Sequence, residues 1–216
     1  MLPLIAFDLD GTIINSQEDI ADAVNECRMN HGLAPLSLET VTSYTGNGAT
    51  KLMERSVPEL LQAGLSLQDL LAEELGYYEK RLVNKTRLYP GVADTLPILA
   101  KHFKLAAISN KRNNLSVAVL EKLGVLQYFS SVLGSGRIPE KKPQPEPIFF
   151  AAEETGATLE GSWMVGDNWT DMGAAQAAKI HGCFCAYGFG NMRNGYHADA
   201  VVWQFEKLLE VTQIHK

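Results

Sequence analysis

A series of short apolar segments, each broken off at a polar residue, limits most sharply what this chain can fold into. Leu4 to Phe7 is apolar and stops at Asp8-Leu9-Asp10-Gly11-Thr12, the pattern of a buried strand leaving a sheet through a turn. Leu105 to Ile108 stops at Ser109-Asn110, and Trp163 to Val165 at Gly166-Asp167. Phe129 to Leu133, Cys183 to Ala186 and Ala200 to Trp203 are further strand candidates. Helical patterns separate them: Val92 to His102, Leu115 to Leu123 closed by Gly124, Glu146 to Thr155, Asp171 to Lys179, and Phe205 to Val211. Short strands alternating with helices predict a parallel α/β sheet.

Between the first strand and about Leu88 the alternation stops. Gln17 to Met29 carries Ile20, Val24 and Cys27 at helical spacing, and a second helix follows Ser37. Tyr44-Thr45-Gly46-Asn47-Gly48 breaks the pattern, which Ala49 to Ser56 resumes. Ser66 is a good N-cap for Leu67 to Leu82, with leucines at 67, 70, 71 and 75. No strand is expected in this stretch. The fold class expected is α/β, a doubly wound parallel sheet with a Rossmann-like core and an inserted all-helical domain. Residues 1–14 and 88–216 would form the core, and 15–87 the insert.

Composition narrows the partners. Acids outnumber bases 25 to 19, net −6, whereas a binder of phosphate backbones carries a basic face, so nucleic acid is not expected. Nothing approaches the run of about 18 apolar residues of a membrane span. The amino-terminal stretch lacks the basic start of a signal peptide, and three cysteines are too few and too uneven for a disulfide framework. A soluble cytoplasmic protein, with no membrane partner, is the expectation.

In open parallel sheets ligands collect at the carboxyl ends of the strands. Asp8 and Asp10, Ser109 and Asn110, and Asp167 with Asp171 beyond it all follow strands, while Lys141 and Lys142 precede a helix. Carboxylates brought to one edge repel unless a positive charge sits among them. Oxygen donors without histidine or thiolate suit Mg²⁺ better than zinc or copper. A carboxylate held ionised beside Mg²⁺ and a lysine can attack phosphorus, and one two residues on can move a proton. Taken singly, each has a plainer reading: Asp-x-Asp-Gly as a capped turn, Asp167 and Asp171 as helix N-terminal acids, Lys142 as a solvated lysine. Their order at successive strand ends favours the chemical reading.

Asp8-Leu9-Asp10-Gly11-Thr12, Ile108-Ser109-Asn110-Lys111, Lys142-Pro143-Gln144-Pro145-Glu146-Pro147 and Val165-Gly166-Asp167-Asn168-Trp169-Thr170-Asp171 resemble the four motifs of the haloacid-dehalogenase-like hydrolase superfamily. The helical block resembles its cap domain. Tyr44 to Arg55 and Tyr89 to Leu96 are similar to segments of bacterial phosphoglycolate phosphatases. The resemblance implies that Asp8 is the nucleophile and, with Asp167 and Asp171, a Mg²⁺ ligand. It implies that Asp10 is the general acid and base, reaching the metal through its backbone carbonyl. Ser109 and Asn110 would hold phosphate oxygens, Lys142 would offset charge, and Thr12 would lie at the substrate. An acid at position 10 points to phosphoryl transfer, because a halide leaving group needs no proton.

The chain also departs from that pattern. Asn15 stands where an aspartate is usual, which bears on the hinge or cap contact. Lys179 replaces a usual glycine, and the helix is expected to run on to Gly182 as its C-cap. Trp169, bulky for a metal loop, is expected at the cap interface or narrowing the pocket. Gly46-Asn47-Gly48 lacks Walker spacing; it either brings cap backbone to a small substrate or is a helix–helix turn. Arg55 either reaches a substrate carboxylate or lies on the surface. His181, Cys183 and Cys185 read as a buried strand in preference to a zinc site. The expected activity is Mg²⁺-dependent hydrolysis of a small phosphorylated metabolite, 2-phosphoglycolate first, by a monomer or homodimer. A sugar phosphomutase like β-phosphoglucomutase, or a non-catalytic phosphometabolite-binding protein, are the alternatives.

Overall fold

The computed structural model describes residues 1–214. Strand β1 (Pro3–Phe7) is completely buried from Leu4 to Phe7, which is why its sequence is an unbroken apolar run. Ile5 and Phe7 join one core cluster, Leu4 and Ala6 another. The chain then forms β2 (Ile14–Asn15) and enters a helical block of α1 (Gln17–Asn30), α2 (Leu38–Ser43), α3 (Ala49–Ser56), α4 (Pro58–Gln62) and α5 (Leu67–Arg81). It returns through β3 (Arg87–Leu88) to α6 (Val92–Leu99), β4 (Lys104–Arg112), α7 (Asn113–Lys122) and β5 (Ser131–Ser135). The remaining elements are α8 (Glu146–Thr155), β6 (Thr158–Gly166), α9 (Trp169–Ala178), β7 (His181–Cys185), β8 (Ala200–Val202), a short 3-10 turn and α10 (Leu208–Val211).

The main sheet has the order β5-β4-β1-β6-β7-β8, every neighbouring pair parallel. Helices α6, α7 and α10 supply residues to the Ile5/Phe7 cluster, α8 and α9 to the Leu4/Ala6 cluster. The chain leaves β1 toward β4 and later crosses back to β6 on the other side. Connections therefore diverge between β1 and β6, the crevice in which doubly wound sheets bind ligands.

Three expectations need correction. The block expected to be free of strands is entered and left through an antiparallel ribbon, Ile14 opposite Leu88 and Asn15 opposite Arg87. Two residues a side are too short to show a period. Strand β4 runs on to Arg112, so Ser109 and Asn110 lie inside it and not beyond its end. Helix α9 stops at Ala178, with Lys179 in the left-handed C-cap at φ 57°, and Gly182 belongs to β7. The Ile180 N–H reaches back to the Ala175 carbonyl at 3.1 Å, so the final carbonyls are satisfied without further turns.

Asp19 pins the ribbon to α1. Its Oδ2 accepts from the Thr86 N–H and hydroxyl, both at 2.8 Å, and from the Lys85 N–H at 2.9 Å. Buried Arg28 ties α1 to the end of α3 by donating to the Ser56 carbonyl. Among the described residues no helix is long and apolar enough to cross a membrane.

Candidate active site

Asp8 follows β1 at the diverging crevice, and Asp167 follows β6 beside it. Carboxylate oxygens of Asp8, Asp167 and Asp171 lie within 4.8 Å of one another, all three residues buried. Lys142, buried in the loop before α8, reaches both Asp8 (2.9 Å) and Asp171 (2.7 Å). Asp167 Oδ2 accepts from the Gly190 N–H (2.7 Å) and the Phe189 N–H (3.0 Å). Asp171 also serves its helix, accepting from the Asn168 N–H at 2.9 Å in a capping box. Asp171 thus caps its helix and also stands in the acid cluster beside Lys142.

One lysine does not balance three buried carboxylates. Burial, and then the charges of Asp8 and Asp171, hold Asp167 well above the usual carboxylate range. Burial also raises Asp171, with Asp8 adding to the effect and Lys142 opposing it. Burial pulls the Lys142 ammonium down, but Asp171 and Asp8 outweigh it, so its pKa lies above the ordinary lysine value. A net negative cluster of hard oxygen donors fits a divalent cation such as Mg²⁺. Gly11 completes the crowding: at φ 91°, a Cβ there would fall 1.8 Å from Asp167 Oδ2.

Asp10 faces different partners. Lys111 Nζ donates to both of its oxygens at 2.9 Å, and Ser16 Oγ donates to one at 2.5 Å. The Lys111 ammonium sits 4.5 Å from the centre of the Tyr78 ring. Burial lowers the Lys111 pKa, yet Asp10 and Tyr78 lift it above the ordinary value. The two acids of Asp8-Leu9-Asp10 therefore occupy separate electrostatic environments: Asp8 with Lys142 and the acid cluster, Asp10 with Lys111 and Ser16.

A cavity of about 70 Å³ lies between the sheet edge and the helical block, with Asp8, Asp10, Ser109 and Asn110 on one side and Gly46, Gly48, Glu74 and Tyr78 on the other. Asn110 spends both side-chain donors on carbonyls, Gly46 at 3.0 Å and Lys142 at 3.1 Å, so it joins the Gly46 loop to the core. At φ 91° a Cβ on Gly46 would meet Asn168 Nδ2 at 2.6 Å. The loop thus both turns between helices and approaches the core closely. Arg55 donates to the Tyr44 carbonyl (3.0 Å) and Asn47 Oδ1 (3.2 Å); it staples this loop, and Asn47 lines a neighbouring cavity with Arg112. Thr12 is buried, its carbonyl accepting from Tyr187 at 2.8 Å.

Other expectations separate here. Asn15 is exposed on β2. Trp169 is not among the residues lining the cavity; its ring packs on Tyr196 (5.3 Å between centres) and under the Arg193 guanidinium (4.3 Å). Its position at the start of α9 turns it toward the loop after β7. Cys183 and Cys185 are buried, while His181 lies against Trp163 at the exposed end of the strand.

Sequence reasoning assigned no role to Ser16, Lys111, Glu74 or Tyr78. Lys111 sits inside a quoted motif and could have been weighed there. Glu74 and Tyr78 stand four apart on α5 and fall on the stripe of Leu67, Leu70, Leu71 and Leu75. A glutamate on an apolar stripe was the available signal. Burial pushes its carboxyl up to about 7, against Lys111 and Arg112.

Known proteins resemble this chain over most of its length. The family described as haloacid dehalogenase-like hydrolase matches residues 5–185. A phosphoglycolate phosphatase of Chromobacterium violaceum is 36% identical over 194 residues, covering 87% of this chain and 86% of that protein. The phosphoglycolate phosphatase of Nitrosospira multiformis is 37% identical over 201 residues, covering 90% and 88%. The crystal structure of a predicted phosphoglycolate phosphatase from Haemophilus somnus superposes with a TM-score of 0.91 at 32% identity, covering 98% of each chain.

Proposed function

Because the chain belongs to the haloacid dehalogenase-like hydrolase family, and is by that likeness a phosphoric monoester hydrolase, we propose that it hydrolyses a small phosphorylated metabolite through an aspartyl-phosphate on Asp8. The carrying observation is the division of labour between two neighbouring carboxylates. Asp8 is held by Lys142 among acids, and Asp10 is held apart by Lys111 and Ser16. Acids placed in contrasting environments take contrasting roles.

An Asp8 oxygen attacks phosphorus in line with the leaving oxygen, and the Asp10 carboxyl gives that oxygen its proton as the P–O bond breaks. Water then attacks the aspartyl-phosphate while Asp10 takes its proton back, so that phosphate leaves and both acids return to their starting forms. Lys142 offsets charge on Asp8 and on the phosphoryl oxygens, and the Ser109 hydroxyl donates to one of them. Lys111 and Ser16 orient Asp10 through both steps. Mg²⁺, held by Asp8, Asp167 and Asp171, would neutralise phosphoryl charge. Residues 15–87 act as a cap that excludes water from the cavity, over a core of 1–14 and 88–216.

The first candidate substrate is 2-phosphoglycolate, on the strength of the relatives' names and the cavity's size. Phosphate release from a panel of small phosphomonoesters with Mg²⁺ is the test. Release that disappears in Asp8→Asn supports the reading. Absence of release from every ester, or full activity in Asp8→Asn, overturns it; isomerisation of a hexose phosphate outpacing release would redirect it to a mutase.

A further inference from the structure

The helical block holds a second cluster of metal-ligating side chains, separate from the acid cluster. Cys27, His31 and Glu73 each bring a donor atom within 4.8 Å of the other two. Cys27 and His31 stand four apart at the end of α1, so they share one face a turn apart. Glu73 comes from α5. The Cys27 thiol is free and buried, while the His31 and Glu73 side chains are 29% and 28% exposed. An ion thus has a route from solvent over His31 and Glu73, with the sulfur beneath them. His31 Nε2 lies 2.9 Å from Glu73 Oε2, so imidazole and carboxylate already face each other. The other carboxylate oxygen is held in place. The Tyr77 O–H donates to Glu73 Oε1 at 2.8 Å, and Asn30 Nδ2 donates to the Tyr77 oxygen at 2.7 Å. Partners of this kind orient a carboxylate that binds a metal.

We propose that Cys27, His31 and Glu73 form a Zn²⁺ site that fastens α1 to α5. Thiolate, imidazole and carboxylate are donors zinc takes, and three protein ligands with water in the fourth position is a common set. Mg²⁺ prefers the all-oxygen acid cluster. At bond lengths of about 2.0 to 2.3 Å zinc holds its ligands about 3.3 to 3.6 Å apart. The triad therefore closes by at most about 1.5 Å, a movement that two partly exposed side chains can supply. The Cys27 S–H bond breaks as the S–Zn bond forms, its proton passes to solvent, and a neutral His31 nitrogen lends its lone pair. One thiolate and one carboxylate cancel the charge of the ion, so no net charge is carried into the half-buried site. Ile20 of α1 and Glu74, Leu75 and Tyr78 of α5 line the catalytic cavity, so zinc at this clamp stiffens the helical wall of that cavity.

The test uses the full chain, freed of metal and kept reduced, with excess Mg²⁺ present to occupy the acid cluster. Co²⁺ is the spectroscopic probe, because a thiolate ligand gives it a near-ultraviolet charge-transfer band that oxygen ligands do not. One equivalent of Co²⁺ should raise the band, and one equivalent of Zn²⁺ should abolish it. Cys27→Ser should remove the band, while His31→Ala and Glu73→Gln should weaken Zn²⁺ binding at least about tenfold. Cys183→Ala should leave band and binding unchanged. Zn²⁺ should raise the melting temperature of the wild type but not of His31→Ala, and melts in Mg²⁺ alone report whether each variant folds. Absence of the band, a band that survives Cys27→Ser, or Zn²⁺ affinity unchanged in His31→Ala overturns the inference. His31 and Glu73 are then a plain ion pair over a core thiol. No readout involves turnover, so failure here leaves the phosphatase reading untouched.

Discussion

Removing divalent cations should make the protein more stable at mildly acid pH than at alkaline pH, the reverse of how most carboxylates behave. The acid cluster sets the magnitude. Oxygens of Asp8, Asp167 and Asp171 lie within 4.8 Å of each other, and at an effective dielectric of about 20 two unit charges at that distance repel by about 3 kcal/mol. Lys142 relieves part of this through its contacts at 2.9 and 2.7 Å. Burial first, and then the repulsion that remains, raises the pKa values, Asp167 well above the usual range and Asp171 to about 7. A carboxyl whose folded pKa exceeds its unfolded value binds its proton more tightly in the native state. Its penalty is full above the folded pKa and is lifted as pH falls through about 7 toward the ordinary value near 4.

Mg²⁺ should remove that pH dependence by supplying the missing charge. At about a hundred times its dissociation constant it would add about 2.7 kcal/mol, a Tm increase of about 5 to 10 °C for a chain of this size. The assay is thermal unfolding at about pH 8 and about pH 6, where ordinary carboxylates stay ionised, in chelator and in excess Mg²⁺. The chelated protein should melt higher at the lower pH, and Mg²⁺ should stabilise it most at the higher pH. Glu74, also raised to about 7, acts in the same direction, so Asp171→Asn is the control: it should shrink both the pH effect and the Mg²⁺ effect. A chelated protein that loses stability steadily on acidification over this window, or a Tm indifferent to Mg²⁺, would refute the charge argument.

Two further outcomes follow from contacts elsewhere. Asp19→Ala orphans the Lys85 and Thr86 N–H groups and the Thr86 hydroxyl; at about 1 kcal/mol or more each, urea unfolding should show a loss of about 3 kcal/mol, and a loss under about 1 would mean the ribbon is held otherwise. Burial raises the Cys27 and Cys183 thiols to about 12 and holds Cys185 well above the ordinary thiol value. None should react with a thiol reagent in the native protein at neutral pH, and all three should react in denaturant; rapid native labelling of any one would contradict its burial.

Local patterns in the chain carried most of the architecture. Helices α3 and α8 begin and end where their periodicity does, and Ser66 accepts from the Asp69 N–H as an N-cap should. The apolar run of β1 announced a strand covered on both faces. Where local signal was thin the expectations slipped: the two-residue ribbon had no period to show, and the extension of β4 through Ser109 and Asn110 contradicts a turn-like composition. The two residues fall in an irregular stretch between the pairs Ile108–Leu133 and Arg112–Ser135, where β4 resumes its pairing with β5.

By itself the sequence determined which residues stand at the strand ends and that acids and a lysine recur there in order, because strand and helix periods are set by neighbours in the chain. Only the tertiary structure decided which charges meet. Asp10 and Lys111 lie 101 positions apart, and Lys142 and Asp171 lie 29 apart. Nothing in either segment specifies its partner, since contacts across a fold depend on where the sheet order brings two loops. Glu74 shows this most plainly. On its helix it is one more glutamate beside leucines, and only the packing of α5 turns it into a buried acid whose Oε2 has no hydrogen-bond partner among the described residues.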